Sequence, residues 1–460
     1  MKHRSELLSR FVAALGDAAV LTGDQVQERS AGIWGPPRTI AAEVLVRPAD
    51  TGQVASILSI CNELDQSVVI HGGLTGVVDG AWAENSDVVL SLERLAGVEN
   101  IDPVGATLIA GAGTTLATVQ DAAAEHGLMF PLDMGARGTA TIGGNVATNA
   151  GGNRVIRYGM VRSLVLGLEV VLADGTVLSS MNQMIKNNAG YDLKQLFIGT
   201  EGTLGVVTRV IVRLLPQPGS RGTALVAIDD FDRVTRFLGY LHGACGGTLS
   251  AYEIMWHDYY SYMTQAWPAL LPPDSAYYVL VELLGSDPAR DGERFITVLD
   301  EAQTIGLIDT AVIAKSGAEE DSIWAIRDDV VRLQELKPMF LFDVSLPILS
   351  VEAYVKATRD ALTEVWPDQQ MFVFGHLGDG NIHLAISAGP SSGNARKDVE
   401  DLVYRPLGAL GGSVSAEHGI GLEKKPYLDW CRSSAEIRVM KALKKTLDPK
   451  RILNPGKVFD

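Results

Sequence analysis

Apolar residues along this chain recur in two rhythms. Short apolar or alternating runs bounded by Gly, Pro, Asp or Ser read as strands, and stretches with apolar residues three and four apart read as helices. The first stretch, "MKHRSELLSRFVAALGDAAVLTG", predicts an amphipathic helix whose Glu6, Arg10 and Asp17 interrupt any apolar run. Glu43–Pro48 and Ser67–His71 predict short strands around a helix over Gln53–Leu64. Val88–Leu92, Thr107–Gly111, Val165–Leu172 and Val206–Leu215 continue the strand-rich pattern, and "LLPQPGSRG" (Leu214–Gly222) is a Pro/Gly-rich boundary. Beyond it, strands over Ala224–Ile228 and Tyr277–Glu282 alternate with helices over Phe231–His242 and Ala289–Ile305, the pattern of an α+β second domain. The tail "LDPKRILNPGKVF" (Leu447–Phe459) reads as a closing segment that docks back on the body.

Between two apolar runs, "MFVFGHLGDGNIHLAI" (Met371–Ile386) carries a tight-turn signal. With Asp379-Gly380 as the centre of a two-residue hairpin, Gly378 pairs with Asn381, Leu377 with Ile382, and His376 with His383. Directly opposed residues have Cβ atoms about 5 Å apart, so the two imidazoles could share one metal ion or simply hydrogen-bond to each other or to water.

Bulk properties narrow the class. At 460 residues the chain predicts two or three domains. Its 47% hydrophobic and 20% charged content is that of an ordinary globular protein. A formal net charge of -16 argues against nucleic acid or an anionic membrane as the main partner. Cys61, Cys245 and Cys431 are scattered and odd in number, which excludes a disulfide framework and iron–sulfur ligation and suits a reducing compartment. No uncharged apolar run reaches the roughly 18 residues that a spanning helix needs, so no transmembrane segment is expected. The expected setting is cytoplasmic, at most peripheral to the inner face of a membrane.

One motif misleads. "IAGAGTTL" (Ile109–Leu116) follows a strand and opens a helix, but Leu116 holds the third glycine position and no acidic residue ends a second strand downstream, which argues against a nicotinamide site. Three other stretches carry more weight: His71–Gly76, Thr141–Gly152 and Gly199–Gly205. Glycines let backbone N–H groups crowd around anionic oxygens. Each loop alone is also an ordinary turn; three that mix Gly with Thr and Asn in one domain suit a large polyanionic cofactor.

The residues also carry a resemblance. "IHGGLTG", "TIGGNVATNAGGNRVIRYG", "LGLEVVLADG" and "NNAGYDLKQLFIGTEGTLGVVT" resemble the FAD-binding domain of vanillyl-alcohol oxidase-type flavoproteins. "GHLGDGNIH", "SAEHGIGLEKKPYL" and "DPKRILNPGKVF" are similar to the FAD-dependent D-2-hydroxyacid dehydrogenases of that group, which act on D-lactate, glycolate or D-2-hydroxyglutarate. The likeness runs from about Arg38 to the C-terminus. It implies an α+β protein with a helical segment over 1–37, an FAD-binding domain over 38–216, a substrate (cap) domain with a metal site over 217–410, and a segment over 411–460 returning to the FAD domain.

The resemblance also assigns residues. His71, Gly72, Gly73, Leu74, Thr75 and Gly76 would surround the FAD diphosphate, and Pro131, Asp133, Thr141, Gly144, Asn145, Asn149, Gly151, Glu201, Val207 and Asn454 would line the rest of the FAD site. His376, His383 and Glu417 would hold a divalent metal, Zn or Mn. Some relatives attach FAD through a histidine whose place here is taken by Leu74, so FAD is expected to bind non-covalently. His418 resembles the general base, with a merely orienting role toward Glu417 as the alternative. Arg327, in "IWAIRDD", matches the arginine that binds the substrate carboxylate; a surface pair with a neighbouring Asp is the plainer reading.

Three positions depart from the D-2-hydroxyglutarate pattern: Leu341, Val331 and Ala385 stand where those enzymes have lysine, threonine and asparagine. Leaving a distal carboxylate unpaired against apolar side chains is costly. The expected substrate is therefore D-lactate or a hydrophobic D-2-hydroxyacid such as D-mandelate, with D-2-hydroxyglutarate, or a glycolate oxidase-type subunit, as the alternative. The resemblance further implies a quinone or an electron-transfer flavoprotein as acceptor, and a homodimer is allowed. A metal-dependent hydrolase of nucleotides and a subunit holding FAD only structurally are the readings from other classes.

Overall fold

The computed structural model describes residues 2–30, 32, 39–389 and 395–460. The expected start of the family likeness at Arg38 lies outside them. The α+β organisation expected from the sequence is present, arranged as two compact units. One comprises Met1–Gly152, Gly159–Gln217 and Glu417–Asp460; the other comprises Asn153–Tyr158 and Pro218–Ala416. Among the described residues no helix is long and apolar enough to cross a membrane.

The first unit holds two main sheets. Its four-stranded sheet runs in the order Val20–Thr22, Val44–Val46, Val88–Ser91, Val68–His71, with the last three strands parallel. Val44–Val46 and Val88–Ser91 are buried throughout, as parallel strands covered on both faces must be. The crossover helix Thr51–Glu63 starts where Asp50 accepts a hydrogen bond from the Gln53 amide, and it buries Val54, Ile57, Leu58 and Cys61 at helical spacing. The helix expected at the N-terminus spans Lys2–Leu15 and is anchored by buried Leu7 and Phe11, each worth about 2 kcal/mol of burial. The predicted helix over residues 17–23 is instead a short turn and the strand Val20–Thr22.

A five-stranded antiparallel sheet completes the unit: Val98–Asp102, Thr107–Gly111, Val206–Arg213, Val165–Val171, Val177–Ser180. Thr107–Gly111, the strand before the misleading glycine motif, is antiparallel to both neighbours, so it belongs to no parallel dinucleotide-binding crossover. The C-terminal stretch closes the first sheet. The Val68 amide donates to Ile452 O at 2.7 Å, and the Asn454 amide donates to Val68 O at 2.8 Å.

The second unit is built on a seven-stranded antiparallel sheet. Its order is Thr310–Ile313, Ser220–Ile228, Tyr277–Gly285, Leu249–Trp256, Gln370–Gly375, Asn381–Ser387, Phe340–Ser345. Helices Phe231–Ala244 and Pro288–Thr304 pack on one face through Val234, Phe237 and Leu241 and through Phe295, Val298 and Leu299. Helices His257–Met263 and Gly317–Asp328 cover part of the other, where Tyr259 stacks on Phe374 with ring centroids 4.3 Å apart. By register, that second face also presents Glu282, Glu253, His383, Asp343, Ala385 and Leu341. Six residues that the sequence places amid the first domain, Asn153–Tyr158, belong to this unit. The reason is electrostatic: Arg154 pairs with the buried Glu282, at 2.9 and 3.2 Å.

Candidate functional site

In the first unit the three glycine-rich loops converge on one short helix, Ile142–Thr148. Thr141 caps it, its Oγ1 accepting from the Gly144 amide at 3.3 Å. The first loop lies against this cap: a Cβ on Gly72 would meet Thr141 Oγ1 at 2.9 Å, and one on Gly73 would meet Thr139 O at 2.1 Å. Gly73 therefore has no room for a side chain. Leu74 then takes a left-handed turn (φ 57°), leading into Thr75 and Gly76. The third loop docks at the other end of the helix through Gly199 N to Val146 O (3.0 Å) and Glu201 N to Ala147 O (2.8 Å).

Asn149 ends the helix in the left-handed region (φ 50°), and its Oδ1 accepts from the Arg162 amide at 2.9 Å. Asn454 fastens the ensemble, accepting from the Ile70 amide at 2.9 Å and donating to Glu201 O at 2.5 Å. Pro131, Gly151 and Val207 are buried, and Gly152 (φ 104°) is pressed so closely on Asp133 O that a Cβ would lie 1.9 Å from it. Buried Asn145 has no hydrogen-bond partner for its Nδ2 among the described residues. An orphaned donor beside backbone held clear of side chains is what a large polar ligand would complete; the residues fit FAD.

His71 is fully enclosed, its Nε2 2.8 Å from Ala81 O; burial pushes its pKa from 6.5 down to about 4. Glu201 is partly buried, and the desolvation of its carboxylate raises its pKa although the Ile420 and Gly421 amides donate to it at 2.7 and 2.8 Å. Those two bonds fix the loop that follows Glu417 and His418. Gly421 accepts no Cβ there, since Val78 O would be 2.0 Å away. Glu417 is itself held, its Oε1 accepting from the Gly152 amide at 2.8 Å.

In the second unit the hairpin corrects the expected register. His383 is paired with Phe374, not with His376. The strands stop at Gly375 and Asn381, and Leu377–Asp379 form a helical turn, with the Asp379 and Asn381 amides both bonding to His376 O. The connection is therefore wider than a two-residue turn. Gly380 (φ 82°) is the left-handed residue that closes it, with Leu346 O where a Cβ would be. His376 leaves the ladder, yet its ring still meets that of His383 edge to face, with centroids 5.3 Å apart.

The anchor of this histidine was missed by sequence reasoning. Glu253, buried in the middle of the strand Leu249–Trp256, accepts from His376 Nδ1 at 2.7 Å and from Arg327 Nε at 2.8 Å. Arg327 Nη2 lies 3.3 Å from His376 Nε2. Burial would raise the Glu253 carboxyl, but His376 and Arg327 outweigh it and hold its pKa below 4.5. Burial likewise opposes the Arg327 charge, and Glu253 more than restores it. Arg327 is thus no surface residue: it is 4% exposed, on the helix Gly317–Asp328. A lone acid inside an otherwise apolar run was the available signal. Glu282 is the same signal on the next strand, satisfied by Arg154, by Arg221 at 2.9 Å and by Ser250 at 2.8 Å.

The proposed substrate positions are spread by burial. Ala385 is fully buried between its register partners Phe372 and Leu341, whereas Leu341 and Val331 are 48% and 54% exposed within the described residues. The unit's chain ends at Ala416, whose amide donates to Asp343 Oδ2 at 3.1 Å, and Asp343 is the cross-strand partner of His383.

Residues 42–180 match the family model described as FAD binding domain, and residues 217–458 match FAD linked oxidases, C-terminal domain. The chain is 38% identical over 422 residues to the mitochondrial D-2-hydroxyglutarate dehydrogenase of Bos taurus, covering 91% of this chain and 77% of that one. It is 36% identical to the D-2-hydroxyglutarate dehydrogenase of Xanthomonas citri pv. viticola, covering 93% and 90%. Among solved structures, p-cresol methylhydroxylase with substrate bound is similar in fold, with a TM-score of 0.77 at 17% identity over 100% and 98% of the two chains.

Proposed function

The chain belongs to the FAD-linked oxidase family and is an FAD-dependent D-2-hydroxyacid dehydrogenase, and from there we propose that its substrate is D-2-hydroxyglutarate. The observation that carries this is 38% identity, over nine-tenths of the chain, to a bovine enzyme of that name. It reverses the order expected from the sequence, which set D-lactate and D-mandelate first. The apolar trio Leu341, Val331 and Ala385 still favours a second reading, a D-2-hydroxyacid with a hydrophobic tail.

In either reading Arg327 takes the carboxylate next to the reacting carbon, its planar fork suited to two parallel hydrogen bonds. His418 accepts the hydroxyl proton. Bound FAD supplies the hydride acceptor. The enclosed His71, occupied with Ala81 O, and Leu74 in the usual attachment position support FAD held without a covalent bond. His376, His383 and Glu417 would hold a divalent ion, Zn or Mn, which supplies Lewis-acid activation of a hydroxyl. Support for that donor set comes from the meeting of the two imidazoles and from the Asp343 anchor at Ala416, one residue before Glu417. The electron acceptor would be a quinone or an electron-transfer flavoprotein. The three free thiols suit a reducing setting, which the cytoplasm proposed for this chain shares with the interior of the mitochondrion for which the bovine relative is named.

The test is a comparison of kcat/KM for D-2-hydroxyglutarate, D-lactate and D-mandelate with an artificial dye acceptor. A clear preference for D-2-hydroxyglutarate is expected. A preference for D-lactate or D-mandelate would overturn the dicarboxylate reading in favour of the apolar one.

A further inference from the structure

Two of the residues given separate roles above share one buried carboxylate. Glu253 bonds His376 through Oε1 and Arg327 through Oε2, and Arg327 Nη2 faces His376 Nε2, closing a triangle with all three side chains enclosed. An arginine can only donate, so His376 Nε2 accepts and its Nδ1 carries the proton toward Glu253. That is the tautomer an imidazole needs to ligate through Nε2. The same carboxylate fixes the plane of the guanidinium through its Nε edge. We propose that Glu253 is a positioning residue that couples the metal ligand His376 to the carboxylate-binding Arg327, so that one side chain sets both metal affinity and substrate affinity.

The triangle also predicts the direction of coupling. While Arg327 Nη2 donates to His376 Nε2, that hydrogen is withheld from a substrate carboxylate. Any ligand that takes the Nε2 lone pair releases it. Occupancy at His376 therefore favours acid binding at Arg327, by a contact between two side chains rather than by a change of fold.

This inference rests on the metal reading above, and Glu282 supplies its control. Glu282 lies on the adjacent strand, on the same sheet face, equally buried and equally paired to arginine, but it touches neither His376 nor Arg327. The experiment uses purified full-length flavoprotein: wild type, Glu253→Gln, Glu253→Asp and Glu282→Gln. Zinc and manganese uptake after EDTA stripping, KM for D-2-hydroxyglutarate, flavin content and melting temperature are read for each. Glu253→Gln should weaken metal binding by roughly 10–100-fold and raise KM in parallel while flavin content holds, with partial rescue by Glu253→Asp. Glu282→Gln should lower the melting temperature and leave metal uptake and KM as in wild type. Metal uptake by wild type that Glu253→Gln leaves unchanged would overturn the coupling alone. Equal losses in the Glu253 and Glu282 variants would also overturn it, since the effect would then be general loosening of the sheet. A stripped wild type that takes up no metal would overturn the metal reading itself, and the coupling with it.

Discussion

The two units solve the problem of an enclosed polar site in opposite ways. The first uses main chain: glycines without room for a Cβ, left-handed Leu74, Asn149 and Glu201, and amides already committed to loop–helix contacts. The second uses buried carboxylates and their hydrogen-bonded partners set into an apolar sheet, Glu253 with Arg327 and His376, and Glu282 with Arg154 and Arg221. Backbone cradles tolerate changes in side-chain chemistry but no added volume. Buried ion pairs tolerate small changes in volume but no loss of a partner, because a stranded charge cannot be rehydrated. Each unit should therefore break under the substitution that the other survives.

The largest effect is expected in the second unit. Arg327→Ala leaves Glu253 with His376 alone and should cost about 4 kcal/mol in denaturant unfolding, with substrate saturation lost and flavin retained. Unchanged KM would remove Arg327 from the site. Next comes Gly73→Ala, whose added methyl collides with Thr139 O and should cost about 3 kcal/mol. Its signature is the reverse: a protein that loses flavin absorbance while metal uptake persists. Retention of full flavin content would show that the loop can move aside.

The smallest effect separates the units by pH. His71 has a pKa held at about 4 against 6.5 when unfolded, because its ring is buried. The stability tied to that depressed pKa is present above pH 6.5 and is lost as pH falls toward about 4. Glu253 and Glu282 sit below 4.5, where His376 and Arg154 lead the groups that outweigh burial, so their stabilisation is lost only below pH 4.5. Glu201, raised above 4.5 by burial, works in the other direction: its stability is present below 4.5 and lost as pH rises through its folded pKa. Hydrogen exchange should show protection around 68–76 declining between pH 6.5 and 4 while the strands 249–256 and 277–285 hold. Simultaneous loss in both would contradict this division.

What the sequence disclosed follows from the same contrast. Glycine loops are legible because a backbone that must approach another backbone excludes every other residue, and Gly73 and Gly152 advertise that need directly. The long apolar strands and capped helices were equally visible, from Thr51–Glu63 to Pro288–Thr304. The hairpin register was not. Asp379-Gly380 is a strong two-residue turn signal, but His376 O collects two amides and opens a wider loop. The triangle around Glu253 was hidden for a different reason. Its arms reach residues 74 and 123 positions away in sequence, so its partners are fixed by strand order rather than by any local pattern. Likewise nothing in "GGNRVIRYG" says that Arg154 leaves its sequence neighbours to join the second unit and serve a glutamate of its sheet; that pairing exists only once Glu282 is buried.

The most direct test is anaerobic bleaching of the bound flavin by D-2-hydroxyglutarate, before and after EDTA dialysis, with zinc or manganese restored at the end. Bleaching that EDTA abolishes and the metal restores, at concentrations where D-lactate and D-mandelate do little, is the predicted result. Flavin that stays oxidised with D-2-hydroxyglutarate at any metal loading would contradict the account.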